Sequence, residues 1–332
     1  MWVLYRRENG KNRAAEGCEL MMEEKSFHFK RDFPLNIPQM DLLYQNLFSR
    51  GKTLRATMTC HVAACLNISK EKSDKLGKIV EYIHQSSILH DDVIDASPIR
   101  RGALSSWMQY SVRKAVLAGD YLLAQAAEST AEMNNIALMK LTASVLKKLV
   151  EGEWMQSSLK NRESMSELDK VYELKTASLF QWSLRAPFLV VNRYEEELHS
   201  CLNRIGALMG VLFQRADDLL DFNIRNKENK TTFKDMEEGY FNSFAVYLSE
   251  GKTPHFRSQL RACRSLKEVK ALFVEKEFED ILGSFDEENK KRIQDCQNEI
   301  ENSLKLKLLK SEQALIDGLK PWPRQFYWRQ SV

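Results

Sequence analysis

The sequence predicts an all-α protein folded as one large helical bundle, and three observations carry that reading. From Pro34 onward apolar residues recur at helical spacing almost without interruption. No alternating strand pattern and no GxGxxG turn is present. Only 13 glycines and 7 prolines are spread over 332 residues, 43% of them hydrophobic, so a single core can be filled without a second domain.

Composition removes several classes of function. The net charge is only +3, and basic residues are interleaved with acidic ones, which argues against a nucleic-acid partner. The six cysteines, Cys18, Cys60, Cys65, Cys201, Cys263 and Cys296, show neither CxxC pairing nor Cys/His metal spacing. Reduced thiols in a cytoplasmic compartment are therefore expected. Met1 to Leu4 is too short for the apolar region of a signal peptide, and no run of about 18 apolar residues occurs.

In chain order, residues 1–33 mix charges without period and read as an N-terminal arm, and residues 34–332 as the helical domain. Helix breaks are expected at 67–70, 97–104, 134–135, 161–166, 223–234 and 251–254, where Asn, Ser, Gly or Pro collect. Lys52 and Arg55 stand three apart, so a helical turn directs both the same way, toward either a diphosphate or plain solvent. Leu76, Ile79, Val80 and Ile83 then mark the buried face of a helix that ends in Asp91, Asp92 and Asp95. Asp91 and Asp95 lie one turn apart. Like charges held this close need a cation, and hard carboxylate oxygens suit Mg²⁺; an ordinary acidic helix end is the alternative.

A second copy decides between the two. Leu208, Val211 and Leu212 lead into Phe213-Gln214-Arg215-Ala216, and Asp217, Asp218 and Asp221 repeat the Asp-Asp-x-x-Asp pattern about 125 residues further on. His84 lies two helical turns before Asp91 and faces the same way, although a lone histidine more often packs in a core. Arg100 and Arg101 follow the first motif at a distance suited to folding back over it. Lys175 and Thr176 fall on a helix expected over 168–184, where Ala177 leaves room for a neighbour. Beyond about residue 255 amphipathic helices, including Leu304, Leu306, Leu308 and Leu309, should form an outer layer. The tail from Trp322 to Arg329 mixes aromatic and basic residues, a composition that suits either peripheral membrane contact or docking on its own domain.

This set of motifs resembles the trans-isoprenyl diphosphate synthases, also called polyprenyl synthetases. Gly51-Lys52-Thr53-Leu54-Arg55, Arg100-Arg101-Gly102, Ala118-Gly119-Asp120-Tyr121-Leu122-Leu123, Lys175-Thr176-Ala177 and Phe213-Gln214 fall in the family's order, and the similarity spans roughly residues 45 to 245. The resemblance implies a helical bundle around a central cavity, of the isoprenoid synthase type. It implies head-to-tail condensation of an allylic diphosphate with isopentenyl diphosphate, with three Mg²⁺ ions, in a homodimer; residues 118–127 are the expected contact.

The same resemblance distributes roles. Asp91, Asp95 and Asp217 hold metal, with Asp92, Asp218 and Asp221 as ligands or water-mediated neighbours. Lys52, Arg55, His84 and Arg101 bind the homoallylic diphosphate; Arg100 and Lys175 bind the allylic one. Thr176 and Gln214 steady the developing carbocation. Ser86 and Ser87, small residues five and four before Asp91, line the upper wall of the product tunnel above Ile83, Val80 and Ile79, which favours a long-chain product. A bulky residue elsewhere, such as Met133 or Trp154, would instead close the tunnel early and give a short one.

The chain also departs from the family pattern. Leu104, Ser105 and Trp107 stand where Pro, Thr and His are usual, and the loop 229–240 lacks the family's Pro, one Gly and the final Lys, ending in Tyr240. Closure of that loop is left to Lys230 and Lys234. A terpene cyclase and a non-catalytic partner subunit are the competing readings. The second Asp-Asp-x-x-Asp motif opposes the first, and the two intact motifs oppose the second.

Overall fold

Side-chain caps start several of the helices: Ser69, Ser111, Asn135, Ser164 and Asn242 each accept the backbone N–H of the third residue on. The protein is described by a computed structural model covering residues 32–34, 36–49, 53–100, 102–160, 162–225 and 232–328. Its helices are α1 (Pro38–Ser49), α2 (Leu54–Cys65), α3 (Lys70–Ile94), α4 (Ser106–Gln109), α5 (Val112–Glu132), α6 (Ile136–Ser158), α7 (Met165–Tyr172), α8 (Ser178–Val190) and α9 (Glu196–Asp221). The second half adds α10 (Lys234–Glu237), α11 (Ser243–Leu248), α12 (Pro254–Ala262), α13 (Leu266–Lys270), α14 (Glu277–Asn298), α15 (Ala314–Leu319) and α16 (Trp322–Trp328). Lys52, Arg101, Lys230, Cys18 and most of the N-terminal arm lie outside the described residues.

Each expected break separates two helices. An additional break at 191–195 carries no Gly or Pro; Asn192 ends α8 by taking a left-handed conformation, φ 61°. The 97–104 break holds the only strands among the described residues. Ile99–Arg100 (β1) pairs antiparallel with Ala103–Leu104 (β2), and Gly102 takes φ 72° at the tip. Strands of two residues are too short to leave an alternating pattern.

The helix expected over 168–184 is corrected. It is interrupted at Glu173–Ala177 by a wider π turn between α7 and α8. Two glycines let neighbours press on this turn from both sides. A Cβ at Gly152 of α6 would fall 2.6 Å from Lys175 Cγ, and one at Gly210 of α9 would fall 2.3 Å from Ala177 Cα. Such turns recur at functional sites because they redirect side chains from the regular helical phase.

The core is laid down as the apolar spacing requires. Leu76, Ile79, Val80 and Ile83 of α3 are fully buried with Leu122 and Ala126 of α5 and Trp182 of α8. The outer-layer expectation holds for part of the C-terminal segment: Leu306 and Leu309 are exposed, but Leu304 and Leu308 join the core. Of the two readings of the tail, the structure shows docking on its own domain. Trp322, Phe326 and Tyr327 are buried, and Tyr327 donates to Asp286 Oδ1 at 2.7 Å, so their rings face protein. No helix among the described residues is long and apolar enough to cross a membrane.

Candidate active site

The two longest helices, α3 and α9, bring the duplicated acid motifs together. Between them stands half-buried Asp235 of α10. Its carboxyl is raised above the ordinary value, chiefly by burial, and both Asp217 and Asp95 add to the rise. α10 links the two motifs: Lys234 N donates to Asp221 Oδ1 at 2.9 Å, and Glu238, directly after α10, accepts Ser97 Oγ at 3.2 Å, two residues past Asp95.

Burial also pushes Asp91 up to about 7; Lys175 counteracts and Glu153 adds to the shift. Asp95 is pushed up to about 6 by burial and then by repulsion from Glu238. Asp221 rises to about 9 through burial and the charge of Asp235. Its Oδ1 accepts the Lys234 N–H at 2.9 Å, whereas its buried Oδ2 has no hydrogen-bond partner. Carboxylates that repel one another, and an orphaned buried oxygen among them, fit a hard dication. Among the described residues no three acidic, histidine or cysteine side chains already converge on one ligand point. A Mg²⁺ ion bound here would take only part of its ligands from these carboxylates and the rest from water and phosphate oxygens.

The middle carboxylates of the motifs behave differently. Asp92 is buried and accepts Arg100 Nε at 2.8 Å, which folds the hairpin back onto α3 as its spacing suggested. Asp218 is fully buried. Its Oδ2 accepts Tyr172 Oη at 2.6 Å, the Ser243 N–H at 3.0 Å and the Ser243 hydroxyl, while Oδ1 accepts Gln214 Nε2 at 3.2 Å. Both Asp218 oxygens are directed at protein donors, which, of the two roles expected for it, suits the water-mediated one. Gln214 Oε1 in turn accepts Thr176 Oγ1 at 3.0 Å, so Thr176 and Gln214 meet as expected and Asp218 braces them.

Lys175, on the π turn, is held by Glu153, by Gln156 Oε1 at 2.9 Å and by Asp91 Oδ2 at 3.8 Å. Burial disfavours its charge, but Asp91 and Glu153 outweigh that and raise its pKa. Arg55 Nη1 lies 3.1 Å from His84 Nε2, so these two predicted neighbours also come together. The Arg55 guanidinium rests 5.0 Å from the Phe180 ring centroid and 5.9 Å from that of Phe213, and both rings pack on Phe326 of α16. Lys234 pairs with Glu238 at 3.3 Å. Ser86 is fully buried and donates to the Gly119 carbonyl at 2.9 Å where α3 crosses α5; Ser87, half-buried, donates to His84 O at 2.9 Å. Trp154 is 77% exposed and so plugs nothing inside.

Glu153, Gln156 and Tyr172 escape the sequence reading. A signal for the first two exists: Gly152-Glu153-x-x-Gln156 puts two polar groups on one helix face after a residue small enough for close approach. Tyr172, by contrast, reads as an ordinary apolar position of α7.

The all-α architecture is the isoprenoid synthase fold. The chain belongs to the polyprenyl synthetase family, whose profile matches residues 38–282. A decaprenyl-diphosphate synthase of Dictyostelium discoideum is 30% identical over 270 residues, covering 80% of this chain and 58% of that protein. An octaprenyl diphosphate synthase of Haemophilus influenzae is 30% identical over 192 residues, covering 57% of this chain and 58% of that one. The chain spans about half the length of the first curated relatives it matches. The fold is shared with a polyprenyl synthase of Caulobacter crescentus CB15 solved with calcium and isoprenyl diphosphate, at TM-score 0.76 and 22% identity, covering 96% of this chain and 95% of that one.

Proposed function

We propose that this chain is a prenyltransferase that extends an allylic diphosphate with isopentenyl diphosphate, head to tail, to a long-chain polyprenyl diphosphate. The observation that carries the proposal is the pair of acid helix ends tied to the two ends of α10, with Lys175 and Arg100 beside them. Asp91, Asp95, Asp217 and Asp221 would hold Mg²⁺, three ions in all, which when bound supplies positive charge for a leaving diphosphate. Lys175 and Arg100 neutralise the same leaving group from the protein side. Arg55 and His84, with Lys52 and Arg101, hold the homoallylic diphosphate so that its double bond faces the reacting carbon. The Thr176 and Gln214 oxygen dipoles steady the allylic cation, and the apolar core around α3 keeps water from it.

Small, half-buried Ser87 and an exposed Trp154 support long product, whereas Ser86 packs against α5 and does not line a tunnel. The names of the decaprenyl and octaprenyl relatives agree. The lid rests on Lys234, and on Lys230 by sequence. A homodimer is supported by apolar residues left exposed on α5 and α6: Val112, Val116, Leu117, Val150 and Trp154. Within 118–127 itself Ala118, Leu122 and Ala126 are buried in the chain's own core, so the contact shifts to these neighbours. The described cysteines are free thiols, in keeping with a reducing cytoplasmic compartment.

The test is turnover of labelled isopentenyl diphosphate with and without Mg²⁺, resolving product length. Asp91→Ala is expected to remove nearly all incorporation while the helical signal and thermal midpoint stay. Undiminished incorporation by that variant, or by wild type in chelator, would refute the metal assignment. A terpene cyclase or an inactive partner subunit would incorporate none.

A further inference from the structure

The end of the lid carries a cation that neither acid motif supplies. Gly239 adopts φ 88°, and a Cβ there would lie 2.6 Å from Cε and 3.0 Å from Nζ of Lys160. Lys160, from the connection between α6 and α7, therefore crosses the turn only because residue 239 has no side chain. Its ammonium rests 5.4 Å from the centroid of the Tyr240 ring. The turn itself is pinned. Phe241 N donates to Glu163 Oε1 at 3.1 Å, Arg261 Nη1 donates to Gly239 O at 2.5 Å, and the Arg261 guanidinium lies 4.0 Å from the Phe241 centroid.

Tyr240 N donates to Asp235 O at 2.8 Å, and Glu238, just before this turn, accepts Ser97 Oγ at 3.2 Å two residues past Asp95, which puts this seat at the rim of the acid site. Lys175 is paired with Glu153 and Lys234 with Glu238, whereas Lys160 forms no ion pair among the described residues. Lys160 is exposed, so its ammonium rests on the Tyr240 ring on one side and is open to an incoming ligand on the other. The chain has Tyr240 where the family pattern has a lysine, and Lys160 brings a cation to that place from the opposite wall.

We propose that Lys160 binds the diphosphate of the allylic substrate, moving from its seat on Tyr240 to a terminal phosphate oxygen. The inference rests on the diphosphate-transfer reading above. The experiment is calorimetric titration of the full chain with inorganic diphosphate in the presence of Mg²⁺. Lys160→Met keeps the methylenes that pack on Gly239 and removes the charge; its Kd should rise about tenfold, the scale of one charge-assisted hydrogen bond, with the thermal midpoint unchanged. Lys160→Arg should restore binding to within about threefold.

Asp91→Ala serves as the control for the site itself. If Lys160→Met binds as tightly as wild type while Asp91→Ala fails to bind, the Lys160 role is overturned and the function stands. An arginine variant as weak as the methionine one reduces Lys160 to packing and equally overturns it. If wild type binds no diphosphate, both readings fall together.

Discussion

Asp217 and Asp218 are adjacent, yet replacing each by Asn should give opposite results. Asp218 accepts hydrogen bonds from Tyr172, Ser243 (twice) and Gln214 in a fully buried position. An amide there presents an NH₂ group to at least one donor and weakens the rest. Hydrogen bonds to a buried charge are worth about 1.5–3 kcal/mol each. Burial has already pushed this carboxyl up to about 7, and part of the loss is offset by relief of that strain. A net destabilisation of about 2 kcal/mol follows, which is roughly 4 °C in the midpoint of a chain this large.

Asp217→Asn should leave stability within about 0.5 kcal/mol, because a half-buried acid among other acids contributes little to packing. Turnover should fall about a thousandfold, the scale for removing one group aimed at developing charge. Urea unfolding and labelled-substrate kinetics on the two variants separate the roles. A stable, inactive Asp218→Asn beside an unstable, active Asp217→Asn would refute the assignment of Asp218 to bracing and Asp217 to metal.

Ser87→Phe should shorten the product toward the farnesyl class with turnover kept, as resolved by chain-length chromatography; unchanged product lengths would count against the tunnel assignment. Ser86→Phe should instead cost about 1–3 kcal/mol, because the ring must part α3 from α5 at Gly119. Leu117→Glu with Val116→Glu should turn a dimer into a monomer in sedimentation, and a wild-type monomer at working concentration would remove the dimer. His199 is kept neutral: burial lowers its pKa, Arg185 Nε faces Nδ1 at 3.3 Å and Nε2 lies 2.8 Å from Arg193 O. The unfolded chain therefore takes up the proton first, so stability is full above about pH 6.5 and declines as pH falls toward the lower folded value. His199→Gln should flatten that limb of the denaturation curve.

The apolar spacing of α3 and α9 and the carboxylates that close them are local patterns, and both were legible before any coordinates. Roles for Thr176, Gln214, Arg55 and His84 came from family resemblance, but the pairings of Thr176 with Gln214 and Arg55 with His84 did not, because residues far apart in sequence meet only through tertiary packing. The inward turn of Asp218 was not legible, since its cause is Tyr172 and Ser243, two residues unremarkable in their own segments. The π turn escaped for a similar reason: its cause is pressure from Gly152 and Gly210 on neighbouring helices, and its own residues form ordinary helix elsewhere. Tail aromatics showed the limit of composition, which cannot tell a ring facing lipid from one facing Phe180.

The aromatic stack under Arg55 has a consequence for biosynthesis. Arg55 lies near the start of the helical domain, and the rings that seat it include Phe213 and are themselves backed by Phe326, about 270 residues downstream. A nascent chain can form α2 early, but this guanidinium has no completed seat until α16 has left the ribosome and docked. Ribosome-stalled intermediates would therefore fold much of the bundle before they could grip a substrate, and the grip would be acquired in one late step.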